Sequence, residues 1–63
     1  MSYRQIKKVL RKNGWKCIRT YGSHYQFRNI ETGITVPIPY HGSKDYCIGT
    51  LRSIEKLTGL SFR

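Results

Sequence analysis

Trp15-Lys16-Cys17-Ile18-Arg19-Thr20-Tyr21-Gly22-Ser23-His24-Tyr25-Gln26-Phe27-Arg28-Asn29 is the stretch on which the fold turns. From Trp15 to Thr20 the residue types and the short length suit a strand, Tyr21-Gly22-Ser23 supplies turn chemistry, and His24 to Asn29 forms a second short run. The whole reads as a β-hairpin. Side chains alternate along a strand, so Tyr25 and Phe27 share the inward face of the second run while His24, Gln26 and Arg28 share the outward one.

Downstream of the hairpin, Glu31-Thr32-Gly33 reads as another tight turn, and Ile34, Val36 and Ile38 mark the buried face of a third strand. Pro37 lacks a backbone donor, which places this strand at an edge or ends it early. Pro39 to Cys47 is a polar loop containing Tyr40, His41, Gly42, Lys44 and Asp45. A second helix opens at Gly49-Thr50, with Thr50 or a neighbour as N-cap, and stops at Gly59. Its apolar face carries Leu51, Ile54 and Thr58, with Leu57 beside them.

Upstream, Ser2 followed three residues later by Gln5 has the form of a capping box, so a first helix begins at Tyr3. On a wheel of about 100° per residue, Tyr3, Ile6, Val9 and Leu10 fall on one arc, and Arg4, Lys7, Lys8, Arg11 and Lys12 on the opposite one. Asn13-Gly14 supplies the residue types that commonly end a helix. The element order is therefore α-β-β-β-α. A three-stranded antiparallel sheet needs one face covered and two amphipathic helices are available to cover it, which defines an α+β fold. No repeat, low-complexity tract or linker interrupts the chain, so residues 1–63 are expected to form one small domain.

Composition narrows the function. Twelve Lys and Arg face three acids, Glu31, Asp45 and Glu55, for a net charge of +9, and no acid precedes Glu31 although eight basic residues do. Such a chain is suited to a polyanion or an acidic partner. A helix selected only for solubility usually mixes signs and gains Glu–Lys pairs, so the one-sign face of the first helix favours phosphate contact over a merely solvated surface. No apolar run approaches the length that spans a bilayer and no signal peptide is visible, which points to a soluble cytoplasmic protein. Cys17 and Cys47 are too few for a disulfide scaffold and lack zinc-site spacing; both are expected as reduced core or boundary residues.

Metal-dependent nucleases gather several carboxylates around a hard cation, and three acids on separate elements cannot do so. No metal and no cofactor is called for. Imidazole remains the plausible acid–base group, because its ordinary pKa of about 6.5 lets it take and give a proton near neutrality. RNA brings its own nucleophile in the 2′-hydroxyl. His24 faces outward and is reachable, but exposure alone does not separate a catalytic histidine from an uninvolved one. His41 is open to the same two readings, as an ordinary loop residue or a phosphate contact. Tyr21, Tyr40 and Tyr46 suit either boundary packing or stacking on unpaired bases.

Several of these residues together resemble a known family. Gly14-Trp15 after the first helix, Arg19, Gly22-Ser23-His24 with Phe27 three residues on, Ile38-Pro39-Tyr40-His41, and Gly49-Thr50-Leu51-Arg52-Ser53-Ile54 with a closing Gly59 are similar, in order and spacing, to the HicA or YcfA-like toxins of toxin–antitoxin modules. Cys47-Ile48 replaces a Lys-Pro pair that often precedes Gly49-Thr50 in that family. The resemblance implies a fold like the double-stranded RNA-binding domain, α-β-β-β-α, and ribosome-independent cleavage of messenger RNA. It implies that His24 is the catalytic residue, that Gly22 and Ser23 present it, and that a HicB antitoxin is the partner. His41 matches the family's histidine after the third strand. Arg4, Lys7, Lys8, Arg11, Lys12, Arg19, Arg28, His41 and Arg52 are then the expected RNA contacts. A non-catalytic RNA-binding module and a protein-interaction domain with a basic face are the competing readings; only the enzyme needs His24.

Overall fold

The computed structural model describes residues 1–40, 42 and 44–62. Its elements run α1 (Tyr3–Lys12), β1 (Trp15–Tyr21), β2 (His24–Asn29), β3 (Thr35–Pro39) and α2 (Ile48–Thr58), and the strands form an antiparallel sheet of order β1-β2-β3. This is the expected α-β-β-β-α arrangement.

Helix α1 starts where Ser2 N donates to Gln5 Oε1 at 2.9 Å, the Gln5 half of a capping box. It ends where Asn13 Nδ2 reaches back to the Val9 carbonyl at 2.8 Å and Gly14 turns the chain with φ 84°. Ile6 and Leu10 are buried from α1, Ile54 from α2, and Phe27, Val36 and Ile38 from the sheet, all in one cluster. Phe27 pairs with Val36 across the sheet and Ile38 lies two residues on, so these three share one face. Both helices cover that face, α1 over β1 and α2 over β3, and the other face is left open.

The first hairpin is tighter than the sequence suggests. Tyr21 is the last residue of β1 and pairs with His24, so the loop contains only Gly22 and Ser23. Gly22 has φ 55° and among the described residues no non-glycine residue has positive φ, the pattern of a II′ turn with glycine first. Register slips between Cys17 and Arg19, leaving Ile18 as the extra residue of a bulge. In the second turn Asn29 Oδ1 accepts from Glu31 N at 2.9 Å and Thr32 N at 3.1 Å, and Gly33 takes φ 76°.

Five expectations change. Ile34 is 52% exposed rather than part of the inner face, because β3 begins only at Thr35 and Ile34 belongs to the turn, its carbonyl accepting from Asn29 N. Leu57 is 53% exposed, on the solvent side of α2. That helix opens at Ile48 with Cys47 as N-cap instead of Thr50, and Cys47 Sγ lies 3.2 Å from Thr50 Oγ1. Both cysteines are free, but neither is a core or boundary residue: Cys47 caps an exposed helix start, and Cys17 sits on an edge strand where α1 leaves a gap. Tyr46 is core, 4% exposed, with its hydroxyl donating to the Pro39 carbonyl. Phe62 joins it there, its amide donating to Glu55 Oε2 at 2.9 Å.

Candidate functional site

His24 is exposed and opens β2. Strand alternation sends it to the open face, opposite Tyr25 and Phe27. Its backbone is fixed from three sides: Tyr21 and Pro39 pair with it in the sheet, and Tyr40 N donates to the carbonyl of Ser23 at 2.7 Å. Gly22-Ser23 therefore presents His24 from a turn that is pinned to the end of β3. Beneath this turn, on the helix side, Tyr3 stacks on Tyr25 with ring centroids 4.9 Å apart, and Tyr40 meets both rings edge-on at 5.1 and 5.4 Å. This three-ring support was not evident from sequence, since nothing in the periodicity of α1 tells which strand residue Tyr3 will meet.

Beside His24 on the open face stands Tyr21. In antiparallel pairs of this kind the Cβ atoms lie about 4.5–5.5 Å apart. The Tyr21 hydroxyl accepts a hydrogen bond from Arg19 Nη1 at 2.7 Å, and the Arg19 guanidinium carbon lies 5.5 Å from the Tyr21 ring centroid. A guanidinium is thereby folded back along β1 toward the turn. Arg28 shares the open face but not this end of it, because its Nη2 lies 3.5 Å from where a Cβ on Gly33 would stand, at the second turn.

The other predicted RNA contacts are elsewhere. Arg4, Lys7, Lys8, Arg11 and Lys12 line one shallow groove on the outside of α1, in the helical layer, so the sheet separates them from His24. Arg52 lies on α2 in a hollow it shares with Leu51 and Glu55. His41 falls outside the described residues.

Carboxylates are scattered. Asp45 Oδ1 is 3.4 Å from the N-terminal ammonium, Glu55 holds Phe62, and Glu31 sits in the second turn. Among the described residues no three His, Cys, Asp or Glu side chains come together in a way that could hold a metal ion. Two phenols are perturbed: burial pushes Tyr3 and Tyr46 up to about 12, reinforced by the Cys17 thiol and neighbouring phenols at Tyr3 and by Tyr40 at Tyr46. Hydrogen bonds from Thr50 hold the Cys47 thiol below its ordinary range.

A comparison with protein families matches residues 3–60 to the family described as HicA toxin of bacterial toxin–antitoxin. The chain belongs to the HicA toxin family. No match was found among curated proteins or among solved structures. The matched region includes every element of the fold, from Tyr3 in α1 to Gly59 at the end of α2. As a HicA toxin the chain is the toxin of a toxin–antitoxin module, and a cognate antitoxin is its partner. Among the described residues no helix is long and apolar enough to cross a membrane. Sequence reasoning had found His24 and Arg19 separately. Tyr21 was open to boundary packing or base stacking; what the sequence did not show is its place opposite His24, which follows only from the two-residue length of the turn.

Proposed function

We propose that this HicA toxin is a cytoplasmic, metal-independent endoribonuclease that cleaves messenger RNA at His24 and is held inactive by a HicB-like antitoxin. The observation that supports the reading is an exposed, backbone-pinned histidine whose partner across the turn, Tyr21, holds the Arg19 guanidinium. In this reaction the 2′-oxygen attacks the adjacent phosphorus and the bond to the 5′-oxygen breaks, leaving a 2′,3′-cyclic phosphate and a free 5′-hydroxyl. Neutral His24 accepts the 2′-hydroxyl proton while water protonates the leaving 5′-oxygen, or protonated His24 supplies that proton while water takes the one from the 2′-hydroxyl. Arg19 offsets the charge that grows on the phosphoryl oxygens. Gly22 and Ser23 hold His24 in position.

The rival reading, an RNA-binding module without catalysis, uses the same cations but gives the Arg19–Tyr21–His24 row no task. A direct test is incubation of RNA with the protein in EDTA. Cleavage should persist, with cyclic phosphate or its hydrolysis product at the new ends. Activity lost in chelator and restored by Mg²⁺ would contradict the mechanism.

A further inference from the structure

The cations of α1 and the histidine site lie on different layers, and a residue outside the expected RNA contacts joins them. Between α1 and the free edge of β1 is an open cleft of about 340 Å³ lined by Lys7, Arg11, Lys16, Cys17 and Phe27. Lys7 and Arg11 also line the outer groove of α1, so the two hollows are continuous through these side chains. Lys16 reaches the cleft from β1, and in the sheet it pairs with Arg28, which belongs to the open face. From Lys16 the strand continues past Arg19 to Tyr21, roughly 15 Å at the usual rise, and ends opposite His24.

This path carries Lys7, Arg11, Lys16 and Arg19, and no acid lines either hollow. The only ion pair among the described residues, Met1 with Asp45, lies elsewhere. Four like charges in a row without counter-ions favour a ligand with regularly spaced negative charge. We infer that single-stranded RNA crosses the β1 edge through the Lys7–Arg11–Lys16 cleft, so that one strand contacts the basic face of α1 and His24 together. The inference rests on the reading of His24 as the cleavage site and adds the substrate form and its route.

A duplex cannot take this route. The backbone is 17 Å across its thinnest dimension, so the strand must turn from one layer to the other over a span of that order. Double-stranded nucleic acid is stiff over far longer distances, about 150 base pairs for DNA. A single strand bends freely and its unstacked bases remain available to Tyr21.

The two free cysteines provide the test, because Cys17 lines the cleft and Cys47 sits at the start of α2, the helix that covers the opposite edge strand. The full chain is mixed with a single-stranded 2′-O-methyl RNA dodecamer, which lacks the attacking hydroxyl, and binding is followed by fluorescence anisotropy. Alkylation of each thiol by N-ethylmaleimide is then timed by mass spectrometry. Bound RNA should slow alkylation of Cys17 several-fold and leave Cys47 nearly unchanged, while the matching duplex should leave both reactive. Lys16→Gln should reduce the slope of log K against log salt by about 0.7, one single-strand phosphate contact. RNA that binds without protecting Cys17 would overturn the route while leaving the RNA reading intact. No RNA binding by the wild type would overturn both. Protection of Cys17 by duplex RNA would overturn the single-strand assignment, and equal protection by polyglutamate would assign the cleft to an acidic protein instead.

Discussion

Tyr21 stands directly across the first turn from His24, and its hydroxyl accepts a hydrogen bond from Arg19 Nη1 at 2.7 Å. Three residues that differ in chemistry are thus aligned by one two-residue loop. A longer loop would shift the register of the hairpin, and a shift of one residue would turn His24 onto the helix face. The site depends on Gly22 because the first position of this turn needs positive φ.

Tyr21→Phe removes the acceptor while keeping the ring under the guanidinium. An exposed hydrogen bond contributes about 0.5–1.5 kcal/mol at most, so the melting temperature should fall by no more than about 12 °C. RNA affinity should hold and the cleavage rate should fall several-fold as Arg19 loses its anchor. Single-turnover kinetics on the variant check this, and an unchanged rate would remove Tyr21 from the positioning of Arg19.

Replacing Lys7, Lys8 and Arg11 together by Gln should weaken RNA binding through fewer released counterions. Each contact with a single strand contributes about 0.7 to the salt slope, so the loss of three should lower it by about two. Stability should change by less than about 1 kcal/mol, because these side chains lie away from Ile6 and Leu10. Titrations at several salt concentrations give the slope, and an unchanged slope would exclude the α1 face from RNA contact.

How far the sequence alone leads is shown by particular residues. The β2 boundaries, the alternation of Tyr25 and Phe27, and the stop at Gly59 follow from periodicity and turn chemistry, and all are found as read. Ile34 and Leu57 were expected at the core because periodicity assigns a side chain to a face without telling where the covering layer ends. Tyr46 and Phe62 lie in no periodic segment, and their burial is decided by how the chain returns across the sheet. The meeting of Lys16 with Lys7 and Arg11 in one cleft needs the packing of α1 on β1, which no local pattern encodes.

The raised phenols give a pH dependence with a definite sign. In the folded chain Tyr3 and Tyr46 ionise at about 12, above the ordinary value of 10.0, so folding favours their protonated forms. Their contribution is fully present below pH 10 and is lost as pH rises toward 12, since the unfolded chain releases these protons first. Urea melts between pH 9 and 12 should show falling stability, and tyrosinate absorbance should include a late component. Tyr46→Phe should flatten the fall, although it also removes the hydrogen bond to the Pro39 carbonyl. Constant stability across that window would contradict the assignment.

The most direct test of the central claim is a paired assay of RNA cleavage and RNA binding on the wild type and His24→Ala. The side chain is exposed on the open face, so truncation leaves no cavity and stability should change by less than about 1 kcal/mol. RNA affinity should largely survive, because the proposed phosphate contacts are spread over several Lys and Arg side chains. Cleavage should fall by about 10²–10⁴, the usual cost of losing a general acid or base, and a thermal melt should confirm that the variant is folded. Equal cleavage by both proteins would remove His24 from the mechanism, and no cleavage by either across varied RNAs would leave the chain a binding module.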